Sequence, residues 1–271
     1  MSSPTPTKKE RREAARQARM EREAAEAAAA RRRRRLYQLL AAVGAAVVLV
    51  VVAILVSGSG GGDKTASDGG SGLAGRQETV DMLAGVPQKD NVLGNENAPV
   101  TLYEFADLQC PFCGEFAKNN LPLLVRDYVR PGKVKVVYQD MAFIGNDSET
   151  AAAAAAAAGE QGKLWHFTNL FYWNQGQENT GYVTDQFLTN IYKGIPGLDV
   201  AEANAARTKA PATNAVAEPR RLADQFGISS TPSFVAGPSG GRMQTLDTKT
   251  LQYDELKKQL DPIVQKASQG T

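Results

Sequence analysis

The chain has 271 residues, 42% apolar and 22% charged, with 13 prolines and 25 glycines. That is ordinary globular composition, with room for one or two domains, and it excludes a low-complexity or fibrous chain. The formal net charge of +2 hides an asymmetry. Residues 1–35 hold 12 Lys+Arg against 5 Glu, while the remaining chain holds 19 basic and 24 acidic side chains. The basic character therefore belongs to the tail, and the bulk of the protein is mildly acidic.

Ala14 to Ala30, rich in Ala, Glu and Arg, reads as a solvated helix that is polar almost all round. Leu39 to Val56 then runs 18 residues without a charge, and Leu36, Tyr37 and Gln38 extend it to 21. At ~1.5 Å per residue that is about 31 Å, enough for a bilayer core. Arg31 to Arg35 abut its N-terminal end, whereas Ser57 to Gly62 are uncharged. Positive charge stays on the cytoplasmic side, so the N-terminus is expected inside and everything after Ser57 outside. The basic tail is explained by this topology rather than by nucleic acid. The run is long for the apolar region of a cleaved signal peptide, and Ala66 and Ser67 make a poor cleavage site, so an uncleaved signal-anchor is expected. The Gly/Ser-rich stretch that follows, residues 57–76, reads as a flexible tether. The expected organisation is a tail over 1–35, a transmembrane helix over 36–56, the linker, and an extracytoplasmic domain over 77–271.

Within that domain Val100 to Phe105 (VTLYEF) reads as a strand leading into two cysteines, and Pro111 to Val129 as a helix bent near Pro122. Pro131-Gly132 marks a turn, and Lys133 to Gln139 alternates like a second strand. Asp147 to Gly159 reads as an Ala-rich helix capped by Asp147 or Ser148, with Glu149 in its first turn. Leu164 to Trp173 is an aromatic-rich helix. Thr184 to Tyr192 and Ala212 to Phe226 are further helices, the latter strained by Pro219. Pro232 to Ala236 is a strand, residues 237–241 a hairpin turn, and Arg242 to Leu246 the returning strand. Asp254 to Lys266 closes the chain as an amphipathic helix. The order strand, helix, strand, helical block, hairpin, helix is an α/β pattern.

The chemistry concentrates at Cys110-Pro-Phe-Cys113, which contains both cysteines of the protein. A disulfide across four residues closes too small a loop to act as a staple, and the expected topology puts it where disulfides persist. Cys110 falls at the N-terminal end of a helix, where unpaired N–H groups and the dipole favour a thiolate. Thiolates are the attacking species in disulfide exchange. Pro111 at the first helical position loses no hydrogen bond and presets φ. Cys113, one turn in, is expected to be more buried and to resolve a mixed disulfide. A zinc site needs four ligands, and two cysteines with the single histidine, His166, do not supply them. No metal or cofactor is expected, and His166 is expected to be a packed helix residue.

Tyr103-Glu-Phe-Ala-Asp-Leu-Gln-Cys-Pro-Phe-Cys113 resembles the active-site strand and helix of the DsbA-like thioredoxin-fold oxidoreductases. Gly227-Ile-Ser-Ser-Thr-Pro-Ser-Phe-Val235 resembles the cis-proline loop of that family, and residues 93–100 and 164–171 are similar to its membrane-anchored or secreted bacterial members. The resemblance spans about residues 88–268. It implies a thioredoxin-like fold with a helical insertion over about residues 145–222. It also implies a cis bond before Pro232, facing the cysteines, with Pro111, Phe112 and Thr231 as substrate contacts. Glu104 matches a position where the family often carries a buried acid able to relay protons to the resolving thiol; from its pattern alone it reads equally as an exposed strand-edge residue. Where the most oxidising members carry His as the second residue between the cysteines, this chain has Phe112, which implies a milder oxidant.

The expected function is thiol–disulfide exchange on exported proteins, in the disulfide-forming direction, with reoxidation by an integral-membrane quinone-linked partner implied by the resemblance. The same chemistry run as a reductase or isomerase is one alternative. A non-enzymatic anchored binding or chaperone-like module is another.

Overall fold

A computed structural model describes residues 72–209, 217–247 and 250–269, all within one compact unit, Asp68–Thr271. The expected tail and transmembrane helix, and all of the linker before residue 72, lie outside the described residues. Among the described residues no helix is long and apolar enough to cross a membrane.

Packing begins before Gln77. Asn174 donates to the Ala74 carbonyl at 2.9 Å and accepts from the Ala74 N–H at 3.1 Å, and Leu73 packs against the main core. Helix α1 (Arg76–Leu83) follows, then a short hairpin of β1 (Gln88–Lys89) and β2 (Val92–Leu93). The central strands are β3 (Val100–Ala106) and β4 (Val134–Asp140), joined by α2 (Pro111–Asn119) and α3 (Leu121–Leu124), which runs into a π-helical turn, Val125–Val129. The single bent helix expected over 111–129 is thus two helices and a π turn, with the break at Asn120, two residues before Pro122.

Beyond β4 come α4 (Asn146–Gly159), α5 (Leu164–Trp173), α6 (Asp185–Lys193) and α7 (Val200–Ala206). Gly145, not Asp147 or Ser148, caps α4. Both side chains are engaged elsewhere: Asp147 accepts from the Gly181 N–H at 2.9 Å, and Ser148 donates to Asp107 at 2.6 Å. Thr184 does cap α6, accepting from the Phe187 N–H. Alanines 151–155, 157 and 158 of α4 are all buried. Their small side chains bring α5 and α7 close, and Tyr192 of α6 donates to the Ala154 carbonyl at 2.8 Å. Phe167, Phe171, Tyr182, Phe187 and Tyr192 fill the rest of this subdomain, with ring centroids 5.2–6.1 Å apart, the spacing at which tilted and edge-on aromatic pairs attract.

Helix α8 (Ala217–Phe226) returns the chain to the sheet. The start expected at Ala212 lies outside the described residues. Strands β5 (Ser233–Pro238) and β6 (Gln244–Leu246) and helix α9 (Tyr253–Gln269) complete the domain.

The strand order is β1-β2-β4-β3-β5-β6. Strand β3 is central, parallel to β4 and antiparallel to β5. Six of its seven residues are buried, because helices cover both sides of the sheet. Leu102 pairs with Val136 and Ala236, and Glu104 with Tyr138 and Phe234. Cross-strand partners share a face, so these residues belong to the large core beneath α2 and α9, where Phe116 meets Phe234 at 4.7 Å. Tyr103, Phe105 and Val235 point the other way, into a smaller cluster with Leu222, Ala223 and Phe226 of α8.

Candidate active site

The turn between β3 and α2 is fixed by Asp107. One carboxylate oxygen accepts from the Gln109 N–H (2.8 Å) and the Ser148 hydroxyl (2.6 Å), the other from the N–H groups of Phe143 (2.8 Å) and Ile144 (3.1 Å). Four donors on one buried carboxylate are the arrangement that offsets the cost of burying it. The Asp107 carbonyl accepts from the Cys110 N–H at 3.0 Å, and this closes the turn.

Cys110 is the N-cap residue of α2, and Pro111 opens the helix as expected. Both cysteines are free thiols; Cys110 is 5% exposed and Cys113 fully buried. The Thr231–Pro232 bond is cis, and the Cys110 thiol donates to the Thr231 carbonyl at 3.4 Å. The sequence-distant loop at 227–233 is therefore brought against the first sulfur.

The two thiols titrate in opposite directions. Cys110 is held down to about 6, first by its hydrogen bond with the Cys113 side chain, then by Thr231 and by the backbone N–H groups of Cys113 and Phe112, all against the opposing effect of burial. The Thr231 contacts have opposite senses. A thiol donates to its carbonyl, whereas a thiolate accepts from its hydroxyl, and the second lowers the pKa. Cys113 is pushed well above the usual thiol range, chiefly by burial and then by Cys110. At neutral pH the first sulfur is a thiolate and the second a thiol.

The choice left open for Glu104 is resolved by the fold: it is 1% exposed, on the same sheet face as Tyr138 and Phe234. Burial raises its carboxyl to about 8, and Oε2 has no hydrogen-bond partner within the described residues. Two buried tyrosines that sequence reasoning does not single out lie in the same region. The Tyr138 and Tyr172 hydroxyls are 2.9 Å apart, and Tyr172 donates to the Asp107 carbonyl at 3.2 Å. Burial, more than any neighbouring group, holds both phenols above their ordinary range. A Tyr in a short β-strand or an aromatic helix carries no local signal of this role; only the register reveals it.

Phe112 is 59% exposed beside the sulfurs, and Phe143, held by Asp107, is 48% exposed. His166 packs half-buried against Gln88 and is lowered to about 4 by burial, so it is neutral and outside the cysteine turn. Among the described residues no group of three or more His, Cys, Asp or Glu could hold a metal ion.

A depressed thiolate at a helix N-terminus, a buried partner thiol and a facing cis-proline loop define a thiol–disulfide oxidoreductase. Comparison with known proteins agrees. The thioredoxin family model matches residues 87–262, and the chain belongs to that family. The "Probable disulfide bond formation protein D" of Bacillus cereus is 29% identical over 177 residues, covering 64% of this chain and 78% of the relative. Among solved structures, oxidised BdbD from Bacillus subtilis aligns with a TM-score of 0.57 at 24% identity, covering 66% of this chain and 97% of that one. Wolbachia pipientis alpha-DsbA1 aligns with a TM-score of 0.53 at 19% identity, over 66% and 92%.

Proposed function

We propose that this chain forms disulfides in exported proteins, with Cys110 as the attacked and attacking sulfur and Cys113 as the resolving one. The observation that carries the reading is the geometry of the pair, with Cys110 at the helix N-cap against the loop of cis Pro232 and Cys113 buried behind it. This lowers the first thiol and raises the second, which makes Cys110 the better leaving thiolate and favours the reduced enzyme. A substrate thiolate attacks the Cys110 sulfur of the oxidised bond, forming a mixed disulfide and expelling the Cys113 thiolate. Glu104, protonated below about pH 8, supplies the proton that the buried Cys113 thiolate requires. A second substrate thiolate then attacks the substrate sulfur of the mixed disulfide and releases the Cys110 thiolate. The substrate leaves two electrons poorer, and both electrons remain on the enzyme as its dithiol.

Pro232 and Thr231 would line an incoming peptide, and the exposed Phe112 ring offers it an apolar contact. The charge pattern of the first 56 residues supports a signal-anchor with the N-terminus in the cytoplasm, a tether over 57–76 and a catalytic domain, 77–271, outside. Reoxidation would fall to an integral-membrane, quinone-linked partner, a reading supported by the likeness to disulfide bond formation protein D.

The direct test is substrate trapping. Cys113→Ala should accumulate dithiothreitol-sensitive adducts on Cys110 in cells, and their absence would refute the mechanism. Direction is read separately from equilibrium with glutathione. A potential toward the DsbA value, about −120 mV, supports a disulfide donor, and one near thioredoxin's, about −270 mV, indicates a reductase.

A further inference from the structure

One side chain reaches the cysteine turn from beyond the end of α5. Gln175 Nε2 donates to the Leu108 carbonyl at 2.7 Å and to the Cys110 carbonyl at 3.0 Å. A single amide group thus holds two carbonyls on either side of Gln109. The Cys110 carbonyl also accepts the first helical bond of α2, from the Gly114 N–H at 3.1 Å.

The other end of the same amide lies against the helix. A Cβ built on Gly114 would stand 2.8 Å from Gln175 Oε1 and 3.6 Å from the Tyr172 ring. Gly114 is buried in the first turns of α2, and its φ is not in the left-handed region. Glycine is unfavourable inside a helix unless the backbone or a close neighbour requires it. Here the close neighbour is the Gln175 amide.

We infer that Gln175 is a positioning residue for Cys110, with Gly114 as the gap that admits it. The inference rests on Cys110 being the attacking thiol. The amide fixes the Cys110 peptide at the point where strand gives way to helix, and so keeps the N–H groups of Phe112 and Cys113 directed at the sulfur they help to hold as a thiolate. Its two N–H donors also place partial positive charge beside that peptide. The helical insertion thus touches the Cys110 peptide itself through a residue 65 positions away in sequence, beside the Ser148 and Tyr172 contacts to Asp107. Without the amide, the Cys110 thiolate loses support that the disulfide form never used, so the oxidised state gains relative to the reduced one.

The test uses the full chain and its Gln175→Leu, Gly114→Ala and doubly substituted variants. Thiolate absorbance is followed against pH, and the oxidised fraction is measured in glutathione buffer. Each single change should raise the proton affinity of Cys110 by about three- to tenfold, the scale of one lost hydrogen bond. The glutathione equilibrium should move by a similar factor toward the oxidised protein. The double variant should move no further than either single one, because both remove the same contact. Gly114→Ala favours the helix, so a purely structural role would leave its Cys110 titration at the wild-type value. Unmoved titrations in both single variants, or additive shifts in the double one, would overturn the inference while leaving Cys110 as nucleophile. A wild-type Cys110 that titrates near 9 would instead refute the underlying reading of the site.

Discussion

The helical insertion and the cysteine turn are stabilised by different physics. The insertion is held by area: buried alanines on α4 and a group of five tilted and edge-on aromatic rings. The turn is held by direction: four donors on Asp107, a thiol on the Thr231 carbonyl and the Gln175 amide on the Leu108 and Cys110 carbonyls. Area-based packing sets how stable the domain is. Directional bonds set what its sulfurs do.

The difference has measurable consequences. Phe171 is fully buried among Phe167, Tyr182 and Phe187. Phe171→Ala should cost about 3–5 kcal/mol in denaturant unfolding, with the Cys110 titration unmoved. A shifted titration would show that the two regions are not separable.

Glu104→Gln should act in the opposite sense. The carboxyl is raised from 4.5 to about 8 by burial, so the folded state binds a proton that the unfolded state releases. Native stability is therefore highest below the unfolded value and falls as pH rises toward 8. The neutral amide removes that loss, so the variant should gain roughly 4 kcal/mol over wild type at pH 8 and little at pH 4. A gain that does not depend on pH would exclude an ionising Glu104. The variant should also slow formation of the mixed disulfide, since it cannot deliver a proton to the expelled Cys113 thiolate.

Much of this was legible in the sequence. The paired cysteines at a strand-to-helix junction and the alternation of Lys133 to Gln139 follow local rules, and β3, β4, β5 and the start of α2 lie within two residues of where those rules put them, whereas the cis bond before Pro232 was implied by the family resemblance alone. The short hairpin of β1 and β2 was not legible, since two-residue strands leave no periodicity. Helix α1 follows a Gly-rich stretch, and its packing on α5 is what defines it. The caps of α4 were misassigned because Asp147 and Ser148 bond across the fold rather than along the helix. Glu104 could be read either way until the register placed it between Tyr138 and Phe234. Gln175 carries no local signal at all, because its partners are 65 and 67 residues away.

The smallest expected effect lies in the proline loop. Thr231→Val keeps the backbone carbonyl and removes the hydroxyl that supports both sulfurs. Cys110 should titrate higher by about half a unit to one unit, the scale of one hydrogen bond, and the protein should become less oxidising by the same factor. Kinetics of exchange at pH 5 and pH 8 would show the change only at the lower pH, where the thiolate fraction is limiting.

All of these rest on one asymmetry within the Cys-Pro-Phe-Cys unit. The most direct measurement is the pH dependence of alkylation of the reduced protein, with each modified cysteine located by mass spectrometry. The account predicts that Cys110 reacts with a midpoint near pH 6 while Cys113 stays unmodified across the range. A midpoint near 9 for Cys110, or earlier reaction at Cys113, would contradict it.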